Sequence, residues 1–209
     1  MVTNRDEKWI WRINGYGAVT IQNIADFEGI DESTVARRIR VLEKTGLVQR
    51  LSDPVLKVRP IAATRAGCEL TGDPLQPLQG LRAGTWRHDS LVASLERSLL
   101  KRFGGIFVPE RRLRMNWTLD GKSRRHAPDG VVVAANRQQI AIELELTQKA
   151  PERMRAIFDD YAAEQRYDRL FYLVPDQKMA DYVARFAQGI DYLHIHILKR
   201  RGTRGGGGE

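Results

Sequence analysis

Residues Asp31-Glu32-Ser33-Thr34-Val35-Ala36-Arg37-Arg38-Ile39-Arg40-Val41-Leu42-Glu43-Lys44-Thr45-Gly46-Leu47-Val48 place apolar side chains at Val35, Ile39 and Leu42 and break at Gly46. That spacing is one buried stripe of a helix, and Asp31 or Ser33 stands where an N-cap is needed. The stretch reads as a helix running to about Thr45. Toward the N-terminus, Gly29 closes a second helix from Thr20 to about Phe27, with Ile21, Ile24 and Ala25 on one face. A weaker helix covers residues 5–14. Two helices across a short glycine turn predict a helix-turn-helix. On the third helix Thr34, Arg37, Arg38 and Val41 share a second face. Hydroxyl and guanidinium groups presented outward suit the base edges and phosphates of a major groove.

After Gly46, the run Leu47–Leu51, a turn at Ser52-Asp53-Pro54 and the run Val55–Ile61 predict a hairpin, with Lys57 positioned for DNA. Thr64-Arg65-Ala66-Gly67 then opens a last helix. The order helix, helix, Leu42-x-x-x-Gly46-Leu47-Val48, hairpin and Thr64-x-x-Gly67 resembles the winged-helix regulators across residues 18–72. That resemblance implies a partner in double-stranded DNA.

The chain has 209 residues, a net charge of +8, 42% hydrophobic residues and one cysteine. Its length suits one large domain or two small ones. A lone Cys68 excludes an internal disulfide and a cysteine-based zinc cluster, and fits a reducing cytoplasm. There is no apolar run of the roughly 20 residues that a membrane span needs, and the N-terminus lacks a signal-peptide core. A soluble, cytoplasmic, basic protein without a membrane partner is expected. The charge is uneven: residues 1–72 carry net +2, residues 73–126 net +6 and residues 127–209 net zero. The middle excess lies in Lys101-Arg102, Arg111-Arg112-x-Arg114, Lys122 and Arg124-Arg125. Arg111, Arg112, Arg114, Arg124 and Arg125 are therefore candidates to grip a phosphate backbone.

Composition also divides the chain. Residues 1–72 form the first domain, and the Pro- and Gly-containing stretch 73–84 reads as a linker. Residues 85–199 form a second domain, and the glycine-rich 200–209 a disordered tail. From Thr85 the pattern is a long helix over 87–102, then strands at 106–108, 131–135 and 139–147. A helix from Pro151 to about Gln165, a strand at 170–174, a helix over 176–187 and a strand at 192–198 follow. The fold class is α+β or α/β: a winged helix joined to an α/β domain with a mixed central sheet.

In Gln139–Thr147, Ile140, Ile142, Leu144 and Leu146 alternate with Ala141, Glu143, Glu145 and Thr147, so both glutamates leave one face of the strand, roughly 7 Å apart. A three-residue loop would set Asp129 opposite them on that face, and a two-residue loop would turn it away. Converging carboxylates would suit magnesium or manganese. On a covered strand such acids are costly unless occupied. His88-Asp89 is read as a cap interaction before a lining of the acidic site, His126 as a strand-entry hydrogen bond before a metal-side or phosphate contact, and His194-x-His196 as structural.

Pro128-Asp129, Glu143-x-Glu145 and a preceding helix bearing Glu96 are similar to the PD-(D/E)XK nuclease superfamily. The resemblance implies Asp129 and Glu143 as metal ligands and Mg2+ as cofactor; with Glu145, and with Lys149 reaching the site from the next turn, they make the candidate catalytic set. One position departs: Glu145 stands where that pattern has lysine. More narrowly, His126-x-Pro128-Asp129, Ile140-x-Ile142-Glu143-Leu144-Glu145-Leu146-Thr147-x-Lys149 and Tyr167-Asp168-Arg169-Leu170-Phe171-Tyr172-Leu173-Val174-Pro175 behind a winged helix resemble the replication-relaxation family of plasmids, phages and conjugative elements. Two functions follow. One is a DNA-binding protein for replication, mobilisation or transcriptional control, its nuclease-like domain carrying a vestigial site, with a relaxase or other DNA-processing partner and a possible homodimer. The other is a metal-dependent endonuclease using Asp129, Glu143 and Glu145.

Overall fold

The computed structural model describes residues 1–52, 58–81, 83–119, 126–163 and 166–198, without the side chains of 118 and 119. Lys57, Arg124, Arg125, Lys122 and the expected tail lie outside the described residues.

Helix α1 (Asn4–Tyr16) begins in a capping box in which Thr3 accepts from the Asp6 N–H and the Asp6 side chain accepts from the Thr3 N–H. Helix α2 (Ile21–Glu28) is capped by Thr20 and ends at Gly29, whose φ of +70° is left-handed. Asp31 caps α3 (Glu32–Lys44), so Asp31 rather than Ser33 takes that role. Strand β1 (Val48–Arg50) pairs antiparallel with β2 (Ile61–Ala63), and α4 (Arg65–Leu70) follows with Thr64 as its cap. The second wing strand is thus later than 55–61. Pro60 still contributes its carbonyl, which accepts from Leu51 N–H at 2.8 Å, and residues 53–57 lie outside the description.

Trp9, Ile10, Ile13, Ile24, Val35, Ile39, Leu42 and Ile61 form the first core, and Ala93 from the next helix completes it. That helix, α5 (Ala83–Phe103), starts four residues before the expected 87 and takes the end of the linker with it. Strand β3 (Ile106–Pro109) leads into α6 (Glu110–Leu119), a helix the sequence reading missed. Its arginine run hides a short apolar stripe at Leu113 and Trp117.

Strands β4 (Gly130–Val133) and β5 (Gln139–Leu144), helix α7 (Pro151–Ala163), strand β6 (Arg169–Val174), helix α8 (Gln177–Ala184) and strand β7 (Leu193–Ile197) complete the chain. The sheet runs β3-β4-β5-β6-β7, antiparallel at its first two pairings and parallel at the last two. The fold is a mixed α+β chain with an N-terminal winged-helix domain and a five-stranded mixed sheet. Val92, Leu99, Val132, Ile140, Ile142, Phe171 and Leu173 fill one face under α5. Val131, Ala141, Met154, Ile157, Leu170 and Tyr172 fill the other, against α7 and α8. With both faces covered, polar groups on the central strands need partners supplied by the chain.

Candidate nucleic-acid interface and acidic cleft

The face of α3 that meets solvent carries Ser33, Arg37, Arg40, Val41 and Lys44, all exposed. At 100° per residue its centre lies about 65° from that of the predicted face Thr34, Arg37, Arg38 and Val41, of which Arg37 and Val41 are exposed and Thr34 and Arg38 half-buried. Thr34 serves the helix start: its Oγ1 donates to Asp31 at 2.8 Å and accepts from Arg37 at 3.4 Å. Arg38 is a correction. Its Nε donates to Asp6 Oδ1 at 2.7 Å and its Nη2 donates to both Asp6 Oδ2 and the Met1 carbonyl. Asp6 is 0% exposed. Burial alone would raise its carboxyl pKa, but hydrogen bonds from Arg38 and Thr3 overcome that and hold it at about 2. Arg40 and Lys44 are what the sequence reading missed; their spacing of three and seven from Arg37 was the available signal.

The arginines of the middle segment divide. Arg112, 5% exposed, donates to Asp73 Oδ1 at 3.0 Å, to Asp73 Oδ2 at 2.7 Å and to the Trp11 carbonyl at 2.5 Å. Its guanidinium lies 3.5 Å from the centre of the Trp11 ring. Arg111 donates to the carbonyls of Asn14 at 2.6 Å and Gln76 at 2.9 Å. These two arginines fasten the C-terminal domain to α1 and the connecting segment, and their expected place on a phosphate backbone is corrected accordingly. Arg114 is exposed and pairs with Glu110 one turn back.

The hairpin at β4–β5 closes with Ala134 N–H donating to the Gln138 carbonyl at 2.9 Å, around a loop in which Arg137 takes a φ of +67°. This is the three-residue alternative. Gly130 then lies opposite Ile142, and one step further Asp129 faces Glu143. Both glutamates are buried, Glu143 at 4% and Glu145 at 3% exposed.

The chain meets each acid with its own donor. Asp129 Oδ2 accepts from Leu144 N–H at 2.7 Å and lies 3.1 Å from His88 Nε2. Glu143 Oε1 accepts from Tyr161 OH and lies 2.6 Å from His126 Nε2. Glu145 is ion-paired to Lys149. Both ring nitrogens of His88 face oxygen acceptors, Asp89 Oδ1 on one side and Asp129 Oδ2 with the Leu144 carbonyl on the other. The ring is therefore a doubly protonated cation. Burial would lower its pKa, but Asp129 and Asp89 outweigh that and raise it to about 10. His126 is raised too, by Glu143 against the pull of burial. Burial and the neighbouring Glu143 push the Asp129 carboxyl up, against the hydrogen bond and charge of His88.

His88 both meets Asp89 and lines the acidic site, the second of its two expected roles, and His126 meets Glu143. Glu96, 4% exposed, leaves the cluster altogether. It accepts from Tyr16 OH at 2.7 Å and pairs with Arg12 at 3.2 Å, on the winged-helix side. Among the described residues no group of three His, Cys, Asp or Glu side chains is arranged to hold a metal ion. One oxygen of each acid is met by a donor of the chain: Asp129 Oδ2 by Leu144 N–H, Glu143 Oε1 by Tyr161 and Glu145 Oε2 by Lys149. A cleft of about 490 Å³ opens beside Asp129, lined also by Tyr16, Trp86, His88, Asp89 and Arg114 among others, and neither Glu143 nor Glu145 lines it. Its walls come from both domains and the segment that joins them.

The family model described as "MarR family" matches residues 6–55, from α1 through β1. No curated protein and no solved structure matches the chain. The match and the fold agree on the N-terminal domain: it is a winged helix, a fold for binding duplex DNA. No described helix is long and apolar enough to cross a membrane.

Proposed function

We propose that the chain is a duplex-DNA-binding protein that reads its site through α3 and binds without cutting. The observation that carries this reading is the solvent face of α3, where Arg37, Arg40 and Lys44 lie exposed on a helix that the winged helix holds for a major groove. The acidic cluster supports the second half. Its carboxylates are answered by His88, His126 and Lys149, so the charge a metal would neutralise is already met within the chain. The resemblance to the replication-relaxation family points to replication, mobilisation or transcriptional control of a plasmid, phage or conjugative element as the setting. A relaxase or similar DNA-processing protein is the partner it suggests.

Binding of labelled duplex to wild type and to Arg37→Ala and Arg40→Ala tests the assignment. Each change should weaken binding by roughly 1–3 kcal/mol if it removes a base contact. If it removes a phosphate contact, the salt slope should fall by about 1. Unchanged affinity in the double variant would move the interface elsewhere. Incubation of supercoiled DNA with magnesium, manganese or EDTA tests the second half. Metal-dependent nicking that vanishes in Asp129→Asn would make the endonuclease reading the correct one.

A further inference from the structure

His194 and His196 have no part in the reading above. They lie on β7, which pairs with β6 alone, so its other edge has no partner strand among the described residues. The Tyr192 carbonyl accepts from Leu170 N–H at 2.9 Å, and Leu198 N–H donates to the Val174 carbonyl at 2.8 Å. In a parallel ladder this parity turns the even-numbered residues to β6 and the N–H and C=O of Ile195 and Ile197 to the open edge. Leu193-His194-Ile195-His196-Ile197 holds no proline, glycine or fixed charge to blunt that edge. The two histidines are exposed on one face of the strand, and the His194 ring stacks on Phe171 at a centroid distance of 5.0 Å. On the other face Leu193 and Ile195 are half-buried, and Ile197 is 38% exposed.

We propose that β7 joins two copies of this chain by antiparallel pairing about a two-fold axis at Ile195, and that His194 and His196 of both copies bind one transition-metal ion of the zinc class on that axis. The strand is self-complementary. Pairing about Ile195 sets Leu193 against the partner's Ile197 and His194 against the partner's His196, so apolar meets apolar and imidazole meets imidazole. The open N–H and C=O of Ile195 form the hydrogen-bonded pair at the axis. The histidines then fall in the non-hydrogen-bonded pairs, where Cα atoms approach to about 4.5 Å and side chains are closest. Each of the four histidine Cβ atoms stands roughly 4 Å from the axis. From there, imidazole nitrogens reach a common ion at the roughly 2.0–2.1 Å that zinc requires, and four of them complete its tetrahedral shell. One chain supplies half a site, and the second copy supplies the other half.

Sedimentation of the full-length, untagged chain in EDTA and in zinc chloride tests this. The expected result is a dimer holding one zinc per two chains, with a dissociation constant at least about tenfold lower in zinc than in EDTA. His196→Ala should remove both the zinc and the tightening. Ile197→Lys, at an exposed position, should give a folded monomer with or without zinc, its circular dichroism unchanged. A chain that stays monomeric in zinc overturns the proposal, as does a dimer indifferent to Ile197→Lys. A dimer equally tight in EDTA, or zinc-linked in a His194→Ala, His196→Ala double variant, overturns the metal site.

Discussion

Arg37 and Arg40 project from α3 with no carboxylate partner among the described residues, whereas Arg38, next in sequence to Arg37, spends its guanidinium on the buried Asp6. A single residue step, about 100° around the helix, separates a side chain open to solvent from one that holds the domain together. The Asp6 carboxyl, held at about 2 against an ordinary 3.8, is depressed in the folded chain. Its contribution is therefore present above the unfolded value and lost as pH falls from 3.8 through about 2, and it amounts to about 2 kcal/mol. Urea unfolding at a series of pH values should show this loss in wild type and a flatter profile in Arg38→Ala. DNA affinity measured at neutral pH on the folded fraction should move far less in Arg38→Ala than in Arg37→Ala.

At the scale of elements, α4 shows how a short helix is fixed. Thr64 caps it by accepting from Gly67 N–H at 3.1 Å, and Gly67 lies so close to β1 that an added Cβ would stand 2.2 Å from the Leu47 carbonyl oxygen. Thr64-x-x-Gly67 thus has a packing reason as well as a capping one. Gly67→Ala should cost about 1–3 kcal/mol, because backbone rather than a side-chain tip must give way; thermal melting checks it. The β4–β5 hairpin makes the other decision at this scale. Its loop sets the register, the register puts Asp129 across from Glu143, and the N-terminal turns of α5 then bring His88 to Asp129. His88 is raised in the folded chain, so its stabilising charge is fully present below pH 6.5 and lost as pH rises through about 10. In Asp129→Asn, NMR should find the His88 ring titrating at lower pH than in wild type. An unchanged midpoint would remove Asp129 as the group that holds the charge.

Across the whole molecule, Arg112, Asp73, Asn14 and Trp11 tie the winged helix, the connecting segment and the sheet domain into one body. Asn14 Nδ2 donates to Asp73 Oδ2 at 3.0 Å and to the Leu75 carbonyl at 2.6 Å, beside the two bonds from Arg112. Burial would raise the Asp73 pKa, and the bonds from Arg112 and Asn14 lower it instead. Gly15 leaves the room, since a Cβ there would stand 2.8 Å from Arg112 Nε. Arg112→Ala leaves Asp73 buried without its counter-charge and should cost roughly 3–5 kcal/mol in urea unfolding. Limited proteolysis should then cut the Pro74–Gly80 stretch faster than in wild type.

Local signals carried the winged helix in the sequence. A 3.6-residue apolar stripe, a cap near Asp31 and the helix-breaking Gly29 act over a few residues, so α2, α3 and the strand alternation of β5 were legible from the chain alone. The face of α3 that meets solvent was not, because Arg37 and Arg38 have the same chemistry and only the position of Asp6 on another helix separates them. Helix α6 was hidden for a related reason: Arg111 and Arg112 read as surface, whereas Asp73 and the carbonyls of Trp11, Asn14 and Gln76 draw them inward. Glu143 and Glu145 were nameable in advance from the period of a strand, whereas the place of Asp129 waited on the loop that sets the hairpin register. What meets the acids was not nameable, since His88, His126, Tyr161 and Lys149 arrive on separate elements. A carboxylate's protonation, charge balance and fitness for a metal depend on neighbours within a few ångströms, and only tertiary packing supplies those.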